Sequence, residues 1–266
     1  MQRCRYAILG LGVLIAGLSF AAVAPATAKV VTASHLYEHD GVVLEGYVAY
    51  DDSVAERAPG VLVIHQWMGL TDYERRRARM LAELGYVAFA ADVYGRGVRP
   101  SNTDEARAEA GAYYGDRQLL RARVAAGLEQ LRQHRRTDPT RMAAIGYCFG
   151  GGAALELARA GADLQGIVSF HGSLDTPLPA DTVRAPLLVC HGAVDPHVGP
   201  EAVRGFIEEM EAAGADYQLI MYADAVHAFT QPAAGNDPSR GAAYNANADR
   251  RSWQHMQLFF DEIFAR

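Results

Sequence analysis

The chain has 266 residues, 50% of them hydrophobic, and a formal net charge of −6. That length suits one domain with a sizeable core. No basic cluster points to nucleic acid, and Lys29 is the sole lysine, so Schiff-base chemistry is excluded unless this near-terminal residue carries it.

Arg3 and Arg5 open the chain, an apolar Gly/Ala/Leu-rich stretch follows over residues 7–22, and Ala26-Thr27-Ala28 supplies an A-x-A signal. This pattern predicts a secretory signal peptide, residues 1–28, cleaved after Ala28. The apolar stretch is short for a bilayer span, and Pro25 and small residues follow it, so no stable membrane insertion is expected after processing. Cys4 precedes the stretch, which argues against a lipoprotein signal. The expectation is an exported protein, periplasmic or secreted, with residues 29–266 as a single domain. Losing Arg3 and Arg5 without any acid makes that domain more acidic still.

Residues 36–40 and 42–50 read as a hairpin turned at Asp40-Gly41. Residues 60–65, GVLVIH, form a continuous apolar run, the mark of a central parallel strand. A loop over 66–71 leads to an amphipathic helix over 72–84, stopped by Gly85. Residues 86–93 read as the next buried strand, and 94–100 as a loop. The Ala/Glu-rich stretch 102–115 is a short helix or a lid, and 116–135 is a long helix. Further strands fall at 166–170, 186–190 and 217–222, with helices at 200–213 and 242–265. Strands and helices alternate, so the fold class is α/β: a mostly parallel, doubly wound sheet with helices on both faces. Ligands of such sheets bind beyond the carboxyl ends of the strands.

Residues 142–155, MAAIGYCFGGGAAL, organise the rest. A short apolar strand enters Gly146-Tyr147-Cys148-Phe149-Gly150-Gly151, and a helix leaves it. This is the setting of a G-x-S-x-G nucleophile elbow with Cys148 in place of serine. Glycines at 146 and 150 let the turn be tight enough to hold Cys148 in a strained conformation, its sulfur near a helix N-terminus. The competing readings are a buried cysteine in a Gly-rich turn or a phosphate loop, although Cys148 occupies the position where G-x-G-x-x-G needs its second glycine.

Two later loops supply partners. Asp195 follows the strand ending at Cys190, and His227 follows the strand ending at Tyr222. The order Cys148, Asp195, His227 is that of the Ser, Asp, His set of α/β-hydrolases. His227 would take the thiol proton and return one to a leaving oxygen, and Asp195 would orient the imidazole. Against this, Asp195 before Pro196 also fits a turn former, and His227 a histidine packed beside Phe229. His65, His171, His191 and His197 lie at or after strand ends too, but no zinc-type spacing is present, and no metal is expected. The Phe149 N–H and an N–H from the 66–69 loop would form an oxyanion hole; Trp67 and Met68 fit plain pocket wall equally well. Cys148 and Cys190 fall on non-neighbouring strands and are expected as free thiols, Cys190 as a small core residue.

The GYCFGG turn, the His191-Gly192-x-x-Asp195 loop, the His227-x-Phe229 loop and Asp92-Val93-Tyr94-Gly95-Arg96 together resemble the dienelactone hydrolase family, over residues 42–266. The resemblance implies an α/β-hydrolase fold, a Cys148-Asp195-His227 triad and no cofactor. Its type members open the enol-lactone ring of dienelactone to maleylacetate. It further implies that Phe149 and Trp67 supply the oxyanion N–H groups and that Arg96 binds a substrate carboxylate. Gln66, Tyr94 and His171 are further candidates for substrate contact, with packing as the alternative for Tyr94 and His171 and a solvated loop position as the alternative for Arg96. The chain departs from the type members twice: Gln66 stands where they have a glutamate, and Gln231 where they have a second arginine. The expectation is a monomeric, exported cysteine hydrolase acting on small-molecule esters or lactones. The alternatives are a carboxylesterase or thioesterase on neutral acyl groups, and a non-catalytic thiol-bearing binding or redox protein.

Overall fold

The computed structural model describes residues 29–54 and 56–265. The expected signal peptide, residues 1–28, lies outside the described residues. Among them, eight strands form one sheet: β1 (Val30–His39), β2 (Val42–Asp51), β3 (Ala58–Ile64), β4 (Val87–Ala91), β5 (Thr137–Tyr147), β6 (Gly166–Phe170), β7 (Leu187–Gly192) and β8 (Tyr217–Tyr222). Their order is β1-β2-β4-β3-β5-β6-β7-β8. β1 pairs with β2, and β2 with β4, antiparallel; every later pairing is parallel.

β4 is buried at every position and β3 at nearly every one, which explains their continuous apolar sequences: helices cover both faces. The helices are α1 (Asp72–Glu83), α2 (Thr103–Gly115), α3 (Arg117–Gln133), α4 (Phe149–Arg159), α5 (Pro200–Ala212) and α6 (Ala246–Ala265). Leu81 of α1 and Met256 and Phe260 of α6 belong to one apolar layer. Tyr113 of α2, Val124 of α3, Leu155 of α4 and Phe206 of α5 belong to the other. The mostly parallel, two-faced α/β architecture is therefore as the sequence predicts. Among the described residues no helix is long and apolar enough to cross a membrane.

Boundaries differ where pairing or capping overrides composition. β1 starts at Val30, because its largely exposed first half pairs residue by residue with β2. Residues 102–115 form a full helix, α2, whose Asn102 side chain accepts from the amides of Asp104 and Glu105. α6 begins at Ala246, four residues late, since Ala242, Ala243 and Asn245 pair with the His227–Phe229 segment and the Asn245 side chain accepts from the Ala248 amide; two 3₁₀ turns (Pro232–Ala234 and Pro238–Arg240) precede them.

Candidate active site

Cys148 sits between β5 and α4 with φ 55° and ψ −116°, the left-handed side of the map that non-glycine residues avoid. The turn is held by close backbone approach. A Cβ on Gly146 would lie 1.8 Å from the Gly150 carbonyl oxygen, and one on Gly150 would lie 2.2 Å from the Ile64 carbonyl oxygen. No L side chain fits either place, so the sequence places glycine there. Phe149 opens α4, where first-turn amides have no partner within the helix.

Three loops at the carboxyl ends of β5, β7 and β8 converge here. The Sγ of Cys148 lies 3.2 Å from Nε2 of His227, and Nδ1 of His227 lies 2.8 Å from Oδ2 of Asp195. The other Asp195 oxygen accepts from the amides of His197 and Val198 at 2.8 and 3.2 Å. Burial opposes ionisation of Asp195, but the His227 ring and these two amides outweigh it and hold the carboxyl below the usual range. Burial likewise opposes a charged His227. The electrostatic interaction with Cys148 and the bond to Asp195 prevail, and the imidazole is pushed up to about 10.

A second buried chain lies behind the turn. The Cys148 amide is shared between the Phe170 carbonyl at 3.0 Å and Nδ1 of His171 at 3.1 Å. Nε2 of His171 donates to the Thr230 hydroxyl at 2.7 Å, which lies 2.7 Å from the Tyr73 hydroxyl. Arg77 bonds Tyr73 and the Thr230 carbonyl and pairs with Asp249. Burial and the neighbouring His227 push His171 well below the ordinary histidine range, so it stays neutral, with Nδ1 free to accept.

His65 performs a similar service at the other wall. Its Nδ1–H donates to the Gln66 carbonyl at 2.6 Å, and its Nε2 accepts from the Val93 amide at 3.1 Å. Burial pushes this ring down to about 4, consistent with the neutral tautomer those partners require. The Gln66 carbonyl also accepts from Gly69, so the peptide carrying the Trp67 N–H is fixed from two sides.

A cavity of about 700 Å³ opens over Cys148 and His227. Gln66, Trp67 and Met68 form one wall. Ala228, Gln231 and Arg240 belong to another, with His197 nearby. Gln66 and Trp67, both expected at the site, line this cavity.

Three expected substrate contacts do not. Arg96 is absent from the lining: Gly95 and Gly97, both at positive φ, turn the chain outward, the Arg96 amide donates to the Val43 carbonyl, and its guanidinium lies 3.5 Å from Glu45. Its side chain is 60% exposed, as the solvated-loop alternative has it. Tyr94 is buried against Phe149, His65 and Tyr113 and donates to the Trp67 carbonyl at 3.1 Å, so it supports the loop rather than lining the cavity. His171 is fully buried behind Cys148 with both nitrogens engaged. Sequence reasoning missed Thr230, His65 as a loop anchor, and Arg240. Only Thr230 carried a signal, its place three residues after His227. Cys148 and Cys190 are both free thiols, and among the described residues no group of three or more His, Cys, Asp or Glu is placed to hold a metal.

The profile of the dienelactone hydrolase family matches residues 44–264. The solved structure of the protein m3DLH is 40% identical, with a TM-score of 0.85, over 88% of this chain and 98% of that one. A dienelactone hydrolase-like promiscuous phosphotriesterase from metagenomic libraries is 37% identical, with a TM-score of 0.84 and the same coverage. A Yersinia pestis protein named for carboxymethylenebutenolidase activity is 28% identical over 235 residues, 84% of this chain and 85% of its own length.

Proposed function

The chain belongs to the dienelactone hydrolase family and is a hydrolase of ester or lactone bonds; from that premise we propose that it works through a covalent thioester on Cys148. The observation that carries the proposal is the 3.2 Å approach of the Cys148 Sγ to His227 Nε2, with Asp195 on the far nitrogen.

In the first half-reaction Sγ bonds to the acyl carbon, and electrons move to the carbonyl oxygen. The amides of Phe149 and Trp67 receive that oxyanion. The carbon–oxygen bond of the ester or lactone then breaks, and the proton held on His227 Nε2 passes to the departing oxygen. Gln66 can donate or accept a hydrogen bond but cannot take a proton, so His227 alone handles the thiol proton. Acylation removes the interaction with the free Cys148 sulfur, the foremost influence raising His227. The imidazole is then free to fall back and accept a proton from water. Hydroxide attacks the thioester carbon, the carbon–sulfur bond breaks, and the acid product leaves with Cys148 restored.

The test is hydrolysis of a dienelactone and of a neutral aryl acetate by the enzyme and by its Cys148→Ala variant. Both reactions are expected to vanish in the variant; full activity there would sink the proposal. Export is part of the same proposal, supported by the basic, apolar and A-x-A segments of residues 1–28. Sequencing of protein recovered from outside the cytoplasm is expected to start at Lys29, and an intact Met1 would refute it.

A second reading rests on the 37% identical phosphotriesterase and on the apolar walls at Trp67, Met68 and Ala228. On that reading neutral aryl esters, phosphotriesters among them, are substrates. Turnover of paraoxon that is abolished by Cys148→Ala would favour it; no turnover would remove it.

A further inference from the structure

The cavity is poor in charge, and its charges are not equivalent. Glu74 reaches the lining, but its two oxygens accept from the amides of Gln66 and Thr71 and from the Thr71 hydroxyl. His197 and His227 are the histidines of the wall. Arg240 is the permanent cation of the lining, and among the described residues it makes no ion pair within 4 Å. Its nearest acid in sequence, Asp237, accepts from the amide and hydroxyl of Ser239, which lower its carboxyl more than the Arg240 charge does. An exposed guanidinium with no carboxylate oxygen within 4 Å, at the mouth of an apolar cavity, is a ready partner for an anion.

Its position is fixed relative to the imidazole. Arg240 ends the second 3₁₀ turn, and the next residue, Gly241, is at φ 78°. Gly241 packs so closely on the Asp195 loop that a Cβ there would lie 3.0 Å from Pro196 Cγ and 3.3 Å from His197 Nε2. The Gly241 carbonyl accepts from the His227 amide at 3.3 Å, and the Ala243 amide donates to the His227 carbonyl at 3.0 Å. The Arg240 backbone is thus held one residue from a segment bonded to His227 itself. It shares the wall of the proton donor, whereas the proposed oxyanion amides of Phe149 and Trp67 belong to other loops.

That placement distinguishes the two halves of a substrate. The departing oxygen must approach His227 Nε2 to receive its proton, so the leaving group extends along the His227 wall. We infer that Arg240 is a specificity-determining residue that binds an anionic group, a carboxylate, carried on the leaving-group side of the scissile ester or lactone bond. This rests on the roles proposed above for Cys148 and His227. It moves anion recognition from Arg96, which faces Glu45, and from position 231, which is a glutamine, to a residue nine positions further along the chain.

Three esters separate the outcomes: 3-acetoxybenzoate carries its carboxylate on the leaving group, monophenyl succinate carries it on the acyl group, and phenyl acetate carries none. Arg240→Met is expected to lower kcat/KM for 3-acetoxybenzoate by about 10- to 100-fold, mostly through KM, the range for losing a hydrogen-bonded charge partner. Phenyl acetate and monophenyl succinate are expected to stay within about twofold, and Arg240→Lys to retain part of the preference, because a point charge remains but the bidentate fork is lost. Equal losses on all three esters, or no loss on 3-acetoxybenzoate, would overturn the inference. Cys148→Ala separates this failure from that of the mechanism: if it abolishes all three reactions while Arg240→Met is unselective, only the role of Arg240 falls.

Discussion

The Nδ1 of His171 accepts the backbone N–H of Cys148 at 3.1 Å, while its Nε2 donates to Thr230, three residues beyond His227. One neutral ring therefore ties the Cys148 turn to the loop that carries the imidazole. Its edge contact with His227, 5.3 Å between ring centroids, closes the arrangement. The spacing of sulfur and imidazole is in this way set from behind, by groups that never meet solvent.

Thr230→Val leaves the Nε2–H of His171 and the Tyr73 hydroxyl without their shared partner. Stability is expected to fall by about 1–3 kcal/mol, the cost of orphaning a buried polar group. The kcat is expected to fall by about tenfold, since slight misplacement of reacting groups costs rate, with KM unchanged. Denaturant melts and steady-state kinetics read the two effects; a change in KM alone would refute the positioning role.

The electrostatic interaction with Cys148 is the foremost influence raising His227, against the opposing effect of burial. Removing it by Cys148→Ala is expected to bring the imidazole down from about 10 toward the ordinary histidine value of about 6.5. Histidine resonances followed by NMR across a pH titration measure this directly. Above neutral pH the native His227 should remain protonated while that of the variant is neutral. An unchanged titration would mean that Asp195 alone sets the imidazole.

The two thiols should react differently. Cys190 is fully buried, and burial pushes its thiol up to about 12, whereas Cys148 lines the cavity. Iodoacetamide at neutral pH is expected to modify the Cys148 peptide and leave that of Cys190 untouched in the folded protein, with both modified after unfolding. Peptide mass mapping checks this, and native labelling of Cys190 would contradict the packing of β7.

Gly146→Ala would drive a methyl group to within 1.8 Å of the Gly150 carbonyl oxygen, a backbone atom. No side-chain rotation relieves that contact. The loss is expected to exceed about 4 kcal/mol, the diagnostic range for severe core strain, and to appear as low soluble yield or a collapsed melting temperature. A stable, active variant would show that the turn is looser than its geometry implies.

Much of this was legible in the chain. Apolar runs such as 60–65 report strands covered on both faces, and their alternation with helices yields the parallel sheet. Cys148, Asp195 and His227 could be read as neighbours because each follows a strand, and such loops meet at one edge. Arg96 was not legible in the same way. Two flanking glycines at positive φ reverse its direction, and a sequence motif carries no sign of which way a turn will face. His171 occupies a position that would suit a cavity-lining residue, yet Thr230 and the Cys148 amide draw its ring inward. Arg240 reaches the cavity only because the long connection after β8 folds back onto His227, a tertiary contact without a local signal.

Trapping the acyl-enzyme would show directly whether Cys148 carries a covalent thioester. The enzyme would be mixed with a slowly turned-over aryl ester, acid-quenched during steady state, and digested for peptide mass analysis. An acyl group is expected on the Cys148 peptide, formed in a burst and lost at the turnover rate, with neither adduct nor hydrolysis in Cys148→Ala. Sustained hydrolysis by that variant, or turnover by the native enzyme with no acyl group on Cys148 at any time, would contradict it.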